Sequence, residues 1–392
     1  MTAAGAGSLA RKLVVVAATI GIAVIANLVL ITLPIFLTVL ARTRGFDESQ
    51  SGLFAFMELS GIAAGSAFCA LVPAVMARLG LRGPAAVGLM IVALANVLMV
   101  ITTAPGPFLA LAFAAGCGAG VANAVLYVIL ARAGGARSVG AFNASQLGFG
   151  ALGIDALTRA AAHFGGDSLF VIPALAAIAA LTLVPLLPKA DGSDAGSSVE
   201  AGRSASISLG GWLMILALFV YFMGTGAVYS FLGYMGEAWG GRPDQVARAV
   251  ETILLIAMLA SLLVTVIGAR FGILHLAALS LAGTLVGIVL LWWLQPVESF
   301  ALIGGLFYFC VTLATSYLFE MLVAIDRSSG AAMMMSTSVQ GGIAAGPAIA
   351  GYLVTADYGL FNAFAFALCA LAAIMIAAVQ YRHQRGKGTP QA

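Results

Sequence analysis

Charge is what this chain lacks most. Asp, Glu, Lys and Arg make up 8% of its 392 residues, against roughly 25% in a soluble domain. A water-soluble globule of this length has no means of covering its surface with so few charges. Histidine is nearly absent, and His163, His275 and His383 are scattered near helix ends or in the tail, so no zinc cluster is expected. Cysteine is scarce too. Cys69, Cys117, Cys310 and Cys369 all fall within apolar runs without metal-ligand spacing, which marks them as small packing residues. No Ser–His–Asp arrangement suggests itself, and no Lys follows Gly116, Gly118 and Gly120 as a phosphate-cradling loop requires. No basic cluster is present that would neutralise nucleic-acid phosphates. The chain is therefore expected to be no enzyme, to bind no nucleic acid, and to use no metal or cofactor.

What the chain has instead is apolar residues, 62% of the total, and a mean hydropathy of +1.09. A bilayer core about 30 Å thick takes roughly 20 apolar residues per helix. Twelve such runs can be read, roughly at 12–41, 52–79, 84–103, 107–133, 138–163, 168–187, 208–236, 245–268, 274–294, 299–324, 330–354 and 359–381. They lack the strict alternation of barrel strands, so an all-α membrane protein of twelve transmembrane helices is expected. The first run follows Arg11 and Lys12 and is far too long for a signal h-region, so it is read as a retained span. With the N-terminus placed in the cytoplasm, only Arg42, Arg44, Arg159, Arg242 and Arg248 of the 18 Lys and Arg fall on outer segments. The positive-inside bias therefore puts both termini inside, as an even span number requires.

The only long polar stretch, from Lys189 to Ser206, is rich in Gly, Ser, Asp and Ala, the composition of a flexible linker. It divides the chain into a six-helix bundle at 1–188, a cytoplasmic linker at 189–207 and a second six-helix bundle at 208–392. The halves show weak self-similarity. Ala77-Arg78-Leu79-Gly80 matches Ala269-Arg270-Phe271-Gly272, Arg137 matches Arg327, and Leu169-Phe170 matches Leu360-Phe361, all at nearly one offset. A duplicated six-helix unit of this kind places substrate near the membrane midplane. Gly61 and Gly65, Gly116, Gly118 and Gly120, and Gly283 and Gly287 have the spacing of small residues at helix contacts.

Six plus six spans, a central linker and a basic loop after the second span resemble the major facilitator superfamily of secondary transporters, over essentially the whole chain. That family's loop motif reads roughly G-x-x-x-D-R-x-G-R-R, and Pro73, Ala77, Arg78, Gly80 and Arg82 stand at those places, with Ala77 at the acidic position. The run from Gly342 through Gly346-Pro347 to Gly351 resembles the family's helix-bending G-x-x-x-G-P pattern. In proton-driven exporters that pattern is typical of span five, which here has Gly148, Gly150 and Gly153 but no proline. The resemblance implies two pseudo-symmetric six-helix bundles, transport by alternating access, a cavity lined by spans one, four, seven and ten, a monomer, and a bacterial cytoplasmic (inner) membrane location.

Ionisable side chains at bilayer depth are functional candidates by default. Glu58, Asp155, Glu251 and Glu320 qualify. Glu58 and Glu251 stand close to the repeat offset and, with Asp155, are the candidate proton-coupling groups, because a carboxyl withdrawn from water can take up and release a proton. The gate candidates are Asp155, Arg159, Glu320 and Arg78. Asp155 and Arg159 meet at i, i+4 on one helix face, either as a local pair or, as the resemblance implies, with Arg159 reaching Glu251 across the halves. Candidate solute-binding residues near mid-depth are Asn27, Asn123, Tyr127, Asn143, Gln146, Tyr221, Thr225, Tyr229, Tyr308, Tyr317 and Gln340. Amides donate and accept hydrogen bonds, and tyrosine joins an apolar face to a polar tip. No Lys or Arg lies near the midplane, so a neutral, zwitterionic or cationic solute is expected, or a lipophilic weak acid carried with a proton. Proton-coupled uptake of a small organic solute is therefore expected, with proton-antiport efflux of lipophilic compounds as the alternative.

Overall fold

The computed structural model describes residues 3–72, 80–133, 136–188, 207–268, 270, 272–294, 297–326 and 329–387. Within these the chain is helical. Helix α1 comprises two segments, Ala3–Ala26 and Leu28–Arg44. It is followed by α2 (Glu48–Leu71), α3 (Arg82–Ile101), α4 (Pro105–Ala133), α5 (Ala136–Phe164) and α6 (Ser168–Leu181). After the central polar stretch come α7 (Leu209–Ala238), α8 (Pro243–Ile267), α9 (Ile273–Trp293), α10 (Phe300–Ile325), α11 (Ser329–Ala356) and α12 (Tyr358–Lys387). The two segments of α1 share one hydrogen-bond ladder. Asn27 N–H donates to the Ala23 carbonyl and Ile31 N–H to the Asn27 carbonyl, both at 3.0 Å. Helix α6 stops short of its apolar run because Pro185 has no N–H to donate, and a single 3₁₀ turn, Val184–Leu186, takes over.

Ten of these helices are long and apolar enough to cross a membrane. The two outside that set are α5, with Asn143, Gln146, Asp155 and Arg159, and α11, with Thr337, Ser338 and Gln340. The exposed faces are as apolar as the core. On α3, Val87, Met90, Leu94, Val97 and Ile101 form an exposed stripe at three- and four-residue spacing. On α8, Leu255, Leu259, Leu262 and Val266 do the same. In water such stripes would point inward, so lipid is the solvent and this is an integral membrane protein. Trp212 near the start of α7 and Trp292 and Trp293 at the end of α9 are exposed, as interfacial aromatics are.

The chain forms two compact units, one of Met1–Arg44 with Met57–Glu200, the other of Gly45–Phe56 with Ala201–Ala392. Helix α2 is thus shared, and residues 45–56 join the second unit rather than the first. The reason is close packing: Gly52 abuts the backbone of Pro347 and Gly351 on α11, and the Ser51 and Tyr234 hydroxyls hydrogen-bond at 2.7 Å.

In the first unit α3 packs on α4 and α6, and α1 on α4, α5 and α6. The glycines of α4 work on two faces. Gly116 and Gly120 meet α2, while Gly118, two residues and roughly 200° away, meets Gly88 and Val92 of α3. At the end of α1 Arg44 ties three helices together. It donates to the Val100 carbonyl at 3.1 Å, pairs with Asp167 at 2.7 Å and lies over the Phe170 ring. In the second unit α7 is central, packed on α11 and α12, while α10 packs on α8 and α9. Gly283 and Gly287 of α9 face Cys310 and Phe307 of α10. Pro347 has no N–H for the Ile343 carbonyl, and Gly226 lets α7 lie against that residue. Asp326, past the end of α10, accepts from the Ser208 N–H and hydroxyl, each at 2.7 Å, while the Ser208 hydroxyl oxygen caps α7 by accepting from Gly211 N–H.

Candidate functional site

The most unusual group in the first unit is Glu58. At 1.5 Å per residue it lies about 15 Å along α2 from Glu48, half the thickness of a bilayer core. It is 4% exposed, and its Oε2 has no hydrogen-bond partner. Among the described residues it forms no ion pair. The backbone around it is held hard against α4: its carbonyl meets Gly116, and Gly61, one turn on, meets Phe113, Gly116 and Cys117. An ionised carboxylate in such a place costs far more than a neutral one unless water or a partner reaches it. The charge on Glu58 and the access of water to it are therefore linked, which is the property a proton-coupling group requires.

Asn27 and Asn123, on α1 and α4, meet as a reciprocal amide pair. Each Nδ2 donates to the other's Oδ1 at 2.8 Å, and Asn27 Nδ2 also donates to the Ala23 carbonyl at 2.9 Å. Both are buried. The donors of Asn27 are fully used, so in this conformation the pair fastens α1 to α4, and what it has left for a solute is the second N–H of Asn123 and one lone pair on each Oδ1. We expect Asn123→Leu to cost about 1–3 kcal/mol, because it strands the buried Asn27 Oδ1, and the Asn27→Leu/Asn123→Leu double variant to cost less than the sum of the singles. Thermal unfolding in detergent measures this, and additive losses would refute the coupling.

The remaining sequence candidates of the first unit are dispersed. Asn143 and Gln146 are half-buried on α5. Asp155 and Arg159 form a local ion pair at 2.8 Å with largely exposed side chains. Arg78 and the Tyr127 side chain lie outside the described residues.

In the second unit Tyr229 of α7 and Tyr308 of α10 come together. Their rings stack with centroids 4.5 Å apart and planes 13° from parallel. Tyr221 points elsewhere. It is fully buried, and its hydroxyl meets Thr284 of α9 at 3.0 Å. Thr225 is buried with its hydroxyl on the Tyr221 carbonyl. Tyr317 donates to the Gly268 carbonyl at 3.3 Å, at the end of α8. Gln340 on α11 is half-buried with an Oε1 that has no partner. Glu251 and Glu320 are half-buried, the first in the third turn of α8, the second near the end of α10.

Sequence reasoning missed Thr284 as the partner of Tyr221, Ser51 as the partner of Tyr234, and Asp326 as the partner of Ser208, the residue that caps α7. It also missed Asn96 and Asn362, whose Oδ1 atoms are buried without partners on α3 and α12. A buried Asn in an apolar run carries a visible signal, its polarity. A hydroxyl pairing across tens of residues carries none. No protein-family model matches this chain, and no curated protein matches it.

Proposed function

We propose that this protein is a proton-coupled secondary transporter of the major facilitator type, with twelve spans in two pseudo-symmetric six-helix halves, taking up a small organic solute by alternating access. On this reading both termini are cytoplasmic, the membrane is a bacterial inner membrane, and the working form is a monomer whose partners are solute, protons and lipid. The observation that carries the reading is Glu58, a carboxyl at mid-helix depth in an apolar bundle with one oxygen lacking any partner. Bearing that cost has a purpose if the group must exchange a proton. The Tyr229–Tyr308 stack, with Thr312 one turn along α10, supplies an apolar face with polar tips for the solute. Asn143, Gln146 and Gln340 add amides.

The test uses purified protein in liposomes holding a pH-sensitive dye, challenged with neutral, cationic and weakly acidic solutes. Solute-dependent acidification of the lumen supports the reading and names the solute class. Solute uptake without acidification refutes proton symport, and alkalinisation of the lumen assigns the protein to proton antiport instead.

A further inference from the structure

We propose that Gly116 of α4 is a positioning residue for the Glu58 carboxyl. The inference rests on the reading above, in which Glu58 exchanges the coupled proton. Helices α2 and α4 meet backbone to backbone along one seam. The position a side chain would take at Gly116 is filled by the Glu58 carbonyl; at Gly61 it is filled by Phe113 and Cys117, at Gly65 by Cys117, and at Gly120 by Ile62 and Ser66. The Ser66 hydroxyl donates to the Gly120 carbonyl at 3.1 Å and fixes the register.

Gly116 is singled out because its contact is with the peptide unit that carries the carboxyl itself. Glu58 is the second residue of the part of α2 that belongs to the first unit, so the seam begins where the carboxyl sits. The atoms blocking a side chain at Gly116 are backbone, which has no rotamer to give. A methyl there must move α2 away from α4 at Glu58 and nowhere else as strongly. That opens the place where, among the described residues, a buried carboxyl oxygen is held without a partner. Cys117, next to Gly116 on α4, is a titratable residue on this seam, its backbone meeting Gly61 and Gly65, and among the described residues no cation pairs with Glu58. The surroundings that govern proton exchange at Glu58 are therefore packing and exclusion of water, and Gly116 controls both.

Infrared difference spectroscopy of the full chain in lipid nanodiscs, titrated with pH, reads this without knowledge of the solute. Glu58→Gln assigns the carboxyl band by its loss. Gly116→Ala is expected to move the midpoint of that band by about one pH unit or more. Gly120→Ala makes the same kind of backbone clash along the seam and is expected to lower thermal stability while titrating as wild type does. If Gly116→Ala does not fold, Gly61→Ala presses on the same contact from the α2 side and is expected to move the midpoint likewise. Equal midpoints in the Gly116 (or Gly61), Gly120 and wild-type proteins overturn the positioning role. A band set unchanged by Glu58→Gln overturns the proton-exchange reading itself, and the positioning role with it.

Discussion

Glu58→Gln is expected, on the proposed reading, to abolish solute-driven proton movement into liposomes, while exchange of solute across the same membrane continues. The substitution keeps the length and shape of the side chain and removes only the ability to bind and release a proton. In the proposed proton-coupled cycle a proton is taken up when Glu58 is open to one side and released when it is open to the other. The energetic basis is the difference between an ionised carboxylate in water and one in an apolar bundle, which is large unless a partner compensates. Glu58 has no such partner among the described residues. A glutamine stays neutral throughout, so on the proposed reading the cycle is expected to proceed with solute alone and no longer to draw on the proton gradient. A second measurement separates function from folding. Glu58→Met replaces a buried, partly unsatisfied polar group by an apolar one of similar volume. It is expected to raise thermal stability by an amount on the order of 1–3 kcal/mol, as substitutions that relieve a functional group's cost do. Normal proton-driven flux in Glu58→Gln removes Glu58 from the mechanism.

Gly346→Val is expected to be the most damaging single change in the second unit. Gly346 and Gly342 bring α11 onto α7 so closely that a side chain at either would meet Met223 or Phe219 backbone oxygens and the N–H of Ala227 or Met223. In lipid, helix association depends on such close van der Waals contact, because the tails are as apolar as the side chains. Forcing a branched side chain into that space costs at the top of the ~1–3 kcal/mol range for overpacking or beyond it. Purified Gly346→Val should lose monodispersity on gel filtration and unfold at markedly lower temperature. Gly106→Ala, at a position where an added methyl meets nothing, is the control and should behave as wild type. A Gly346→Val protein as stable as that control would mean that α7 and α11 are not in backbone contact.

Much of the architecture was legible because helix formation in lipid is a local matter. An apolar run of sufficient length can satisfy its backbone only within itself, so the runs in the sequence became helices, and ten of them meet the length and apolarity of a span. The glycine pairs were legible for a similar reason: small residues at three- or four-residue spacing have no local role in a helix other than to let another helix approach. Glu58 stood out because one carboxyl among apolar residues is rare and costly.

What the sequence by itself determined, then, is the solvent, the helices, the small-residue faces and the carboxyl that has to be explained. What only the tertiary structure decided is which polar groups answer one another. It showed that Asn27 and Asn123 pair with each other, that Tyr221 turns to Thr284 and Tyr317 to the end of α8 while Tyr229 and Tyr308 stack, and that α2 changes company between Phe56 and Met57. The physical reason is range. Burial and helical period are written in neighbouring residues, whereas the direction in which a buried hydroxyl or amide points depends on the rotation of two helices about their axes. That rotation is set by packing between residues as far apart as 27 and 123, which no local pattern records.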